Sequence, residues 1–451
     1  MTTQTEDVRS GGWWALSLLV AIYVLSFVDR TILSSLGEAI RHELGLSDTQ
    51  LGLLGGLAFA LTYSVLGVPV AFLSERVSRK AVITIAVVIW SVMTMLCGLA
   101  GGFASLLLLR AGVGIGEAGF TPPAHALLSD FFPPHRRAFA LSLFSAAIPI
   151  GVLVAALGGG WLVHSMGWRG AFAVVGLPGL VLAPLLSLTM REPQRGEAEG
   201  GGAHATLPVR RVVRHLARRR SAWYLVFGGA FASMPGYAVF TFGVSFLIRR
   251  HGLGIVPATM IFGAAVAGGQ LVGMLAGGRL SERVSRRGAA WLLVVPAISL
   301  VAGGLLQLAA WRQESIVGCA ALLTLGMVAG AAYLGPSYAA LHGLMTPRMR
   351  ASGMSIVLLV HALVGLGLGP PIIGMISDRV ATGAYVGAYA ADCRTPGGHA
   401  PAPMKATCAS ASADGIEAGL SAAAIFGLLA AAMMLLAGRR YEHDSTLEEN
   451  A

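Results

Sequence analysis

The sequence predicts an all-α membrane protein of twelve transmembrane helices in two pseudo-symmetric six-helix bundles, and three observations predict it. Of 451 residues, 55% are hydrophobic and only 12% charged, with a mean hydropathy of +0.72. That leaves no polar coat for a water-soluble chain of this size. Apolar runs of about 20 residues, the length that crosses a bilayer, recur twelve times. The third observation is internal duplication. The heptapeptide Leu-Ser-Glu-Arg-Val-Ser-Arg begins at Leu73 and again at Leu280, 207 positions later. Pro123, Leu128, Pro134, Arg137, Ala138 and Ser142 return 213 positions on as Pro336, Leu341, Pro347, Arg350, Ala351 and Ser355. Two similar halves, each too hydrophobic for water, form a repeat architecture typical of secondary transporters.

Taken in order, the spans are expected near 13–37, 49–73, 81–101, 103–129, 138–163, 168–190, 221–248, 257–280, 289–311, 315–344, 352–377 and 416–437. The first is read as a span rather than a cleavable signal. Its apolar core is long, carries Asp29-Arg30, and runs at once into a second span. With the amino terminus placed inside, most of the 32 Lys and Arg fall in inner segments, among them Arg76, Arg79, Lys80, Arg136, Arg137, Arg283, Arg286 and Arg348. This is the positive-inside pattern, and it puts both termini in the cytoplasm. The formal net charge of +10 is spread over alternate loops rather than gathered in one patch, which argues against a nucleic-acid partner.

The halves join through a polar stretch. Residues 1–190 are expected to form the first bundle, 191–220 a cytoplasmic linker, and 221–451 the second bundle with a cytoplasmic tail. The linker passes through the Gly-rich segment near Gly200 and ends in a basic helix bearing Arg210, Arg211, Arg214, Arg218, Arg219 and Arg220. Such a helix suits anionic membrane lipids; the same arginines also serve as a topology anchor. A long external loop is expected at 378–415. It holds Cys393 and Cys408, which at a spacing of 15 on the non-cytoplasmic side could pair as a disulfide, although two cysteines are weaker evidence than a framework of four or six.

Four ionisable residues lie deep in the first half: Asp29 and Arg30 in span one, Arg110 and Glu117 in span four. Each costs several kcal/mol in hydrocarbon unless paired or wetted. Arg110 and Glu117 share one helix face about 10 Å apart along the axis, too far for an ideal direct bridge. Both are expected to face one cavity, which Asp29 and Arg30 enter from span one. Asp29 and Glu117 are read as the proton-coupling pair, and Arg30 and Arg110 as their charge partners and anion contacts. A neighbouring Arg sets the charge of a dry carboxylate, so occupying that Arg elsewhere favours protonation. A purely structural network is the alternative. The repeat offsets carry Arg110 and Glu117 onto Leu323 and Gly330, and Asp29 and Arg30 onto Gly236 and Tyr237. Coupling therefore belongs to the first bundle. The second offers Tyr237, Phe240, Gln270, Tyr333, Tyr338 and His361 as cavity candidates, His361 being either a proton relay or a residue bonded to a neighbouring carbonyl.

No HExxH, GxxxxGK[ST] or GxSxG motif is present, so the chain is read as no enzyme and as using no cofactor. Energy is expected from a proton gradient. The two segments Ala71-Phe-Leu-Ser-Glu75-Arg-Val-Ser-Arg79-Lys80 and Gly278-Arg-Leu-Ser-Glu282-Arg-Val-Ser-Arg286-Arg287 resemble the loop signature of the major facilitator superfamily, with Glu where Asp is usual. Phe27-Val-Asp29-Arg30, Leu44-Gly-Leu-Ser-Asp-Thr-Gln, Arg110-Ala-Gly-Val-Gly-Ile-Gly-Glu117 and Ser129-Asp-Phe-Phe-Pro-Pro134 resemble the bacterial Spinster homologues.

The resemblance implies a cytoplasmic gate of Glu75, Arg76, Arg79, Arg137, Glu282, Arg283 and Arg286, in which the acid bridges the bundles while the inner face is shut. Arg137 and the helix start near Ser352 are the expected partners of Glu75. It also implies alternating access, a monomer in the bacterial inner membrane, and a substrate that is an amphipathic lipid such as a lysophospholipid or a sphingosine-phosphate-like sphingolipid. The rivals are a proton-driven exporter of organic cations or drugs, and a lipid-sensing receptor that moves nothing.

Overall fold

The computed structural model describes residues 11–74, 76–193, 209–286, 289–346, 349–396 and 402–446. Helices account for nearly all of them, and among the described residues there is no strand. We number the spanning helices α1 (Gly12–Leu44), α2 (Asp48–Ser74), α3 (Arg79–Cys97) and α4 (Phe103–Phe131). Next come α5 and α6, the two arms of Phe139–Thr189. The second half supplies α7 (Arg220–His251), α8 (Ile255–Ser285), α9 (Trp291–Trp311), α10 (Ile316–Gly343), α11 (Ser352–Ala384) and α12 (Ala402–Thr446).

By length alone there are eleven candidate spans among the described residues. The count of twelve is recovered at Gly167, whose φ of 70° and ψ of 173° interrupt the helical path between α5 and α6. Only glycine adopts that left-handed backbone without a steric penalty. Side chains such as Leu108, Val181, Leu188, Val317 and Ile425 are exposed, which in water would be a large apolar surface and in lipid is the expected coat.

Two compact units emerge: Met1–Leu36 with Ala58–His204, and Gly37–Leu57 with Ala205–Ala451. The sequence boundary at 191–220 therefore misses one feature. Residues 37–57 belong to the first repeat by sequence but pack within the second unit. The cause is electrostatic, because Glu38, Arg41 and Asp48 are buried against Arg249 of α7. α1 accordingly continues past the expected end at residue 37 to Leu44, and Ser47 caps the start of α2 in a reciprocal box with Gln50.

In the first unit, glycines let the helices meet at backbone distance. A Cβ at Gly116 would lie 2.6 Å from the Trp90 nitrogen, and one at Gly114 would lie 2.9 Å from the Phe59 carbonyl oxygen. The glycine run of α4 thus seats it against α2 and α3. In the second unit, α8 presents Gly269, Gly273 and Gly277 at four-residue spacing to the Thr324, Val328 and Ala332 carbonyls of α10.

The loop expected at 378–415 is shorter than read from sequence. α11 runs to Ala384, the short helix Tyr389–Cys393 follows, and α12 begins at Ala402. At 45 residues α12 is about twice the span of a bilayer core. Its amino-terminal turns are too Ala- and Ser-rich to register as membrane and too rich in good helix formers to stay irregular. Cys393 and Cys408 are joined as a disulfide across a Cα separation of 5.5 Å.

Candidate functional site

The four buried ionisable residues of the first unit pair crosswise between α1 and α4. Asp29 Oδ1 accepts from Arg110 Nη1 at 3.0 Å, and its Oδ2 accepts from the Thr94 hydroxyl of α3. Glu117 Oε2 accepts from Arg30 Nε at 2.5 Å and from the Ser26 hydroxyl at 2.8 Å. Two ion pairs, about two turns apart on α4, explain how hydrocarbon tolerates four charges. Arg110 and Glu117 do not meet, as their axial spacing requires.

The expectation that all four line a wet cavity needs revision. Asp29, Arg110 and Glu117 are each 1–2% exposed, whereas the Arg30 side chain is 24% exposed. Each acid has found an arginine on the facing helix, so neither pair needs water. Arg30 differs in two further ways. Its guanidinium carbon lies 4.7 Å from the Phe59 ring, 4.8 Å from Tyr63 and 5.2 Å from Phe27. Its two Nη groups make no hydrogen bond among the described residues, and Glu117 Oε1 is buried without a hydrogen-bond partner. The site thus holds a carboxylate with one spare oxygen and a ring-caged guanidinium with both Nη groups spare.

Four of the second-unit candidates, Tyr237, Tyr333, Tyr338 and His361, lie near one another. Tyr338 stacks on His361, centroids 6.2 Å apart, while His361 Nε2 sits 3.1 Å from the Val226 carbonyl oxygen. That places His361 in the carbonyl-bonded arrangement. Tyr333 is buried in the core of the unit, and Phe240 packs edge-on to Phe262. Gln270 is half-buried, and Tyr237 is the exposed one of the six.

Of the expected cytoplasmic gate, Glu75 lies outside the described residues. Arg79 is buried and fixes the loop. It donates Nη1 to Asp130, Nη2 to the Pro193 carbonyl at 3.1 Å, and its backbone N–H to Glu192 at 2.8 Å. Ser78 caps α3 and donates its hydroxyl to Glu192. Arg137 donates to the Ser129 carbonyl at 2.8 Å, and Arg76 is exposed.

The duplicated heptad does not repeat these contacts, since Glu282, Arg283 and Arg286 are exposed. The reason is visible in the repeat, where the 213 offset replaces Asp130 by Gly343. Burial pushes the Glu192 carboxyl up, but the bonds from Ser78, from the Arg79 and Lys80 backbone and from the Arg79 guanidinium outweigh it and hold it below its usual range. A depressed acid stabilises the fold above its ordinary value of about 4.5 and loses that contribution as pH falls through the folded-state value. Thermal unfolding should therefore separate wild type from Glu192→Gln near neutrality, the gap closing as pH falls below the ordinary carboxylate range.

Sequence reasoning missed a second charged cluster, at the opposite end of the spans in the second unit: Glu38, Arg41, Asp48 and Arg249. A signal was present. Arg249 and Arg250 fall at the end of α7 that the expected topology places outside, against the positive-inside trend, and a basic pair there calls for acidic partners.

A duplicated twelve-span bundle whose first repeat buries paired charges, with the uncharged Leu323, Gly330, Gly236 and Tyr237 at the matching positions of the second, defines a secondary-transporter scaffold. The chain belongs to the Major Facilitator Superfamily, whose profile matches residues 19–370. An MFS-type efflux pump of Mycolicibacterium smegmatis is 36% identical over 377 residues, covering 82% of this chain and 85% of that protein. Protein spinster of Drosophila melanogaster is 25% identical over 394 residues, covering 84% and 64%. The crystal structure of a bacterial homologue of the human lysosomal transporter Spinster, inward-facing and unoccupied, superposes with a TM-score of 0.87 at 33% identity, covering 97% of this chain and 99% of that one. The chain is a Spinster-like integral membrane transporter of this superfamily and not an enzyme.

Proposed function

We propose that the chain is a proton-coupled transporter of amphipathic anionic lipids, of the lysophospholipid or sphingosine-phosphate kind, working by alternating access as a monomer in the bacterial inner membrane. The observation that carries this reading is the Arg30–Glu117 pair. Glu117 is sealed, its only cation among the described residues is Arg30, and Arg30 alone of the four charges reaches solvent, with both Nη groups unused. A phosphate or carboxylate headgroup matches that donor fork. Once the guanidinium turns to the headgroup, Glu117 is left as a lone carboxylate in hydrocarbon, and a proton is what neutralises it. Binding of the anion and uptake of a proton are then one event. Asp29, held by Arg110 and Thr94, keeps α1, α3 and α4 in register and is the second protonation candidate.

Both termini are assigned to the cytoplasm. The basic inner loops support this, as does the Cys393–Cys408 disulfide, which falls on the oxidising side under that orientation.

Export of organic cations is the second reading. The 36% identical relative is an efflux pump, and the Phe27, Phe59 and Tyr63 rings already hold a cation. Binding by the purified protein separates the two. Arg30→Ala should weaken lysophosphatidylglycerol about 10- to 100-fold and leave tetraphenylphosphonium unaffected, the loss expected for charge-assisted bonds. Unchanged lysolipid binding with altered tetraphenylphosphonium binding selects the exporter.

A further inference from the structure

The second unit carries a cluster of uncharged polar side chains on three of its helices. Tyr237 lies on α7, Tyr333 and Tyr338 on α10, and His361 on α11. The three phenols are close neighbours, and Tyr338 stacks on the His361 ring. Among the described residues no Asp, Glu, Lys or Arg faces Tyr333, Tyr338 or His361. The backbone is fitted to the group. Gly229 makes room for the imidazole, since a Cβ there would collide with His361 Cε1. The helical path of α10 is interrupted at Ala332 and Tyr333, and α11 widens to a π-helix over Ala362–Leu368, directly after His361. Such π-turns are frequent at functional sites.

The hydrogen bonding of this cluster is incomplete. Tyr333 is 6% exposed, yet its hydroxyl, like that of Tyr338, makes no hydrogen bond among the described residues. His361 Nε2 lies 3.1 Å from the Val226 carbonyl oxygen. A carbonyl can only accept, so Nε2 carries the hydrogen, and in the neutral ring Nδ1 is left as an acceptor. A hydroxyl buried without a partner costs stability, and phenylalanine in the same two places would avoid that cost.

We propose that Tyr333, Tyr338 and His361 form an uncharged binding site in the second unit that takes a hydroxyl-bearing polar group, such as the glycerol or alcohol carbon of an amphipathic lipid. This rests on the lipid reading above and adds recognition of the neutral part of the molecule. An alcohol suits the set because it donates and accepts at once. Its hydrogen goes to His361 Nδ1, and its lone pairs take the phenol hydrogens. An ion does not suit it, because no countercharge is present to offset desolvation. The repeat shows the same division of labour. Tyr237 stands 207 positions after Arg30, so a phenol replaces the guanidinium at the matching place of the second half. A site built to pair an alcohol rejects the analogue that lacks it, since its own polar groups are then left unpaired.

Binding of 1-lauroylglycerol and of propyl laurate to the full-length protein in nanodiscs tests it, with uptake by protein-free nanodiscs subtracted. The two esters share one carbon skeleton and carry no charge; only the first has hydroxyls. Wild type should bind the glycerol ester about tenfold or more tightly than the propyl ester. Tyr333→Phe and Tyr338→Phe should each cut that preference about 3- to 10-fold, by weakening the glycerol ester and sparing the other. Without ligand, Tyr333→Phe should melt at the wild-type temperature or above it, because the oxygen it removes is unpaired. Equal binding of the two esters by wild type overturns the proposal. So does a preference that survives both substitutions, an equal loss of both esters, or a lowered melting temperature of empty Tyr333→Phe. Neither probe bears a charge, so the result stands or falls separately from the assignment of the anion site and of proton coupling.

Discussion

Arg110→Ala is expected to destabilise the protein by about 3–5 kcal/mol, because it strands Asp29 as a buried, unpaired carboxylate. Asp29 is 2% exposed and its remaining hydrogen bond comes from Thr94, so no solvent compensates the lost cation. The companion Asp29→Asn should recover most of the loss when combined with Arg110→Ala, since the double variant buries no net charge. Chemical or thermal unfolding of the four proteins in one detergent, read as a double-mutant cycle, measures the coupling directly. Near-additive losses would mean that the pair is not the unit that matters. The same variants separate two roles: if Asp29 only holds α1 against α4, the double variant should transport as wild type does.

Glu117→Gln carries the largest functional effect. The amide keeps the volume and can still accept from Ser26, but it cannot take a proton or neutralise Arg30. Uphill accumulation of lysolipid should fall to the level of protein-free liposomes, while exchange of labelled for unlabelled lysolipid down its gradient continues. That dissociation is expected when coupling is lost and the alternating motion is kept. If both activities are lost together with the fold, Glu117 belongs to the architecture; if both survive, the proton travels elsewhere. The Nη donors of Arg30 remain free to meet the headgroup in this variant, so binding should persist.

Much of this was legible in the sequence because the solvent imposes it. Apolar runs of bilayer length gave twelve spans, and the structure reduces them to eleven continuous helices only where Gly167 turns one helix back into the next. The presence of buried charge on α1 and α4 was equally plain. Which acid meets which base was not, since the partners lie 81 and 87 residues apart and their contact depends on how the helix faces rotate toward each other. For the same reason, exposure of Arg30 alone could not be read from composition.

Residues 38–48 fall between the first two expected spans, because charge there looks like loop. Their burial depends on Arg249, some 200 positions away. The heptad at Leu280 misled in the opposite direction: an identical motif suggested an identical contact, but the repeat supplies Gly343 where the first half has Asp130.

Substrate-driven proton movement is the central claim, and one measurement reaches it directly. Proteoliposomes holding a trapped pH dye, with no imposed gradient, are given lysophosphatidylglycerol on one side and followed for both lipid and pH. Coupling through Glu117 predicts a pH change in wild type that keeps pace with lipid transfer and disappears in Glu117→Gln. Lipid crossing with a flat pH trace in wild type would contradict it.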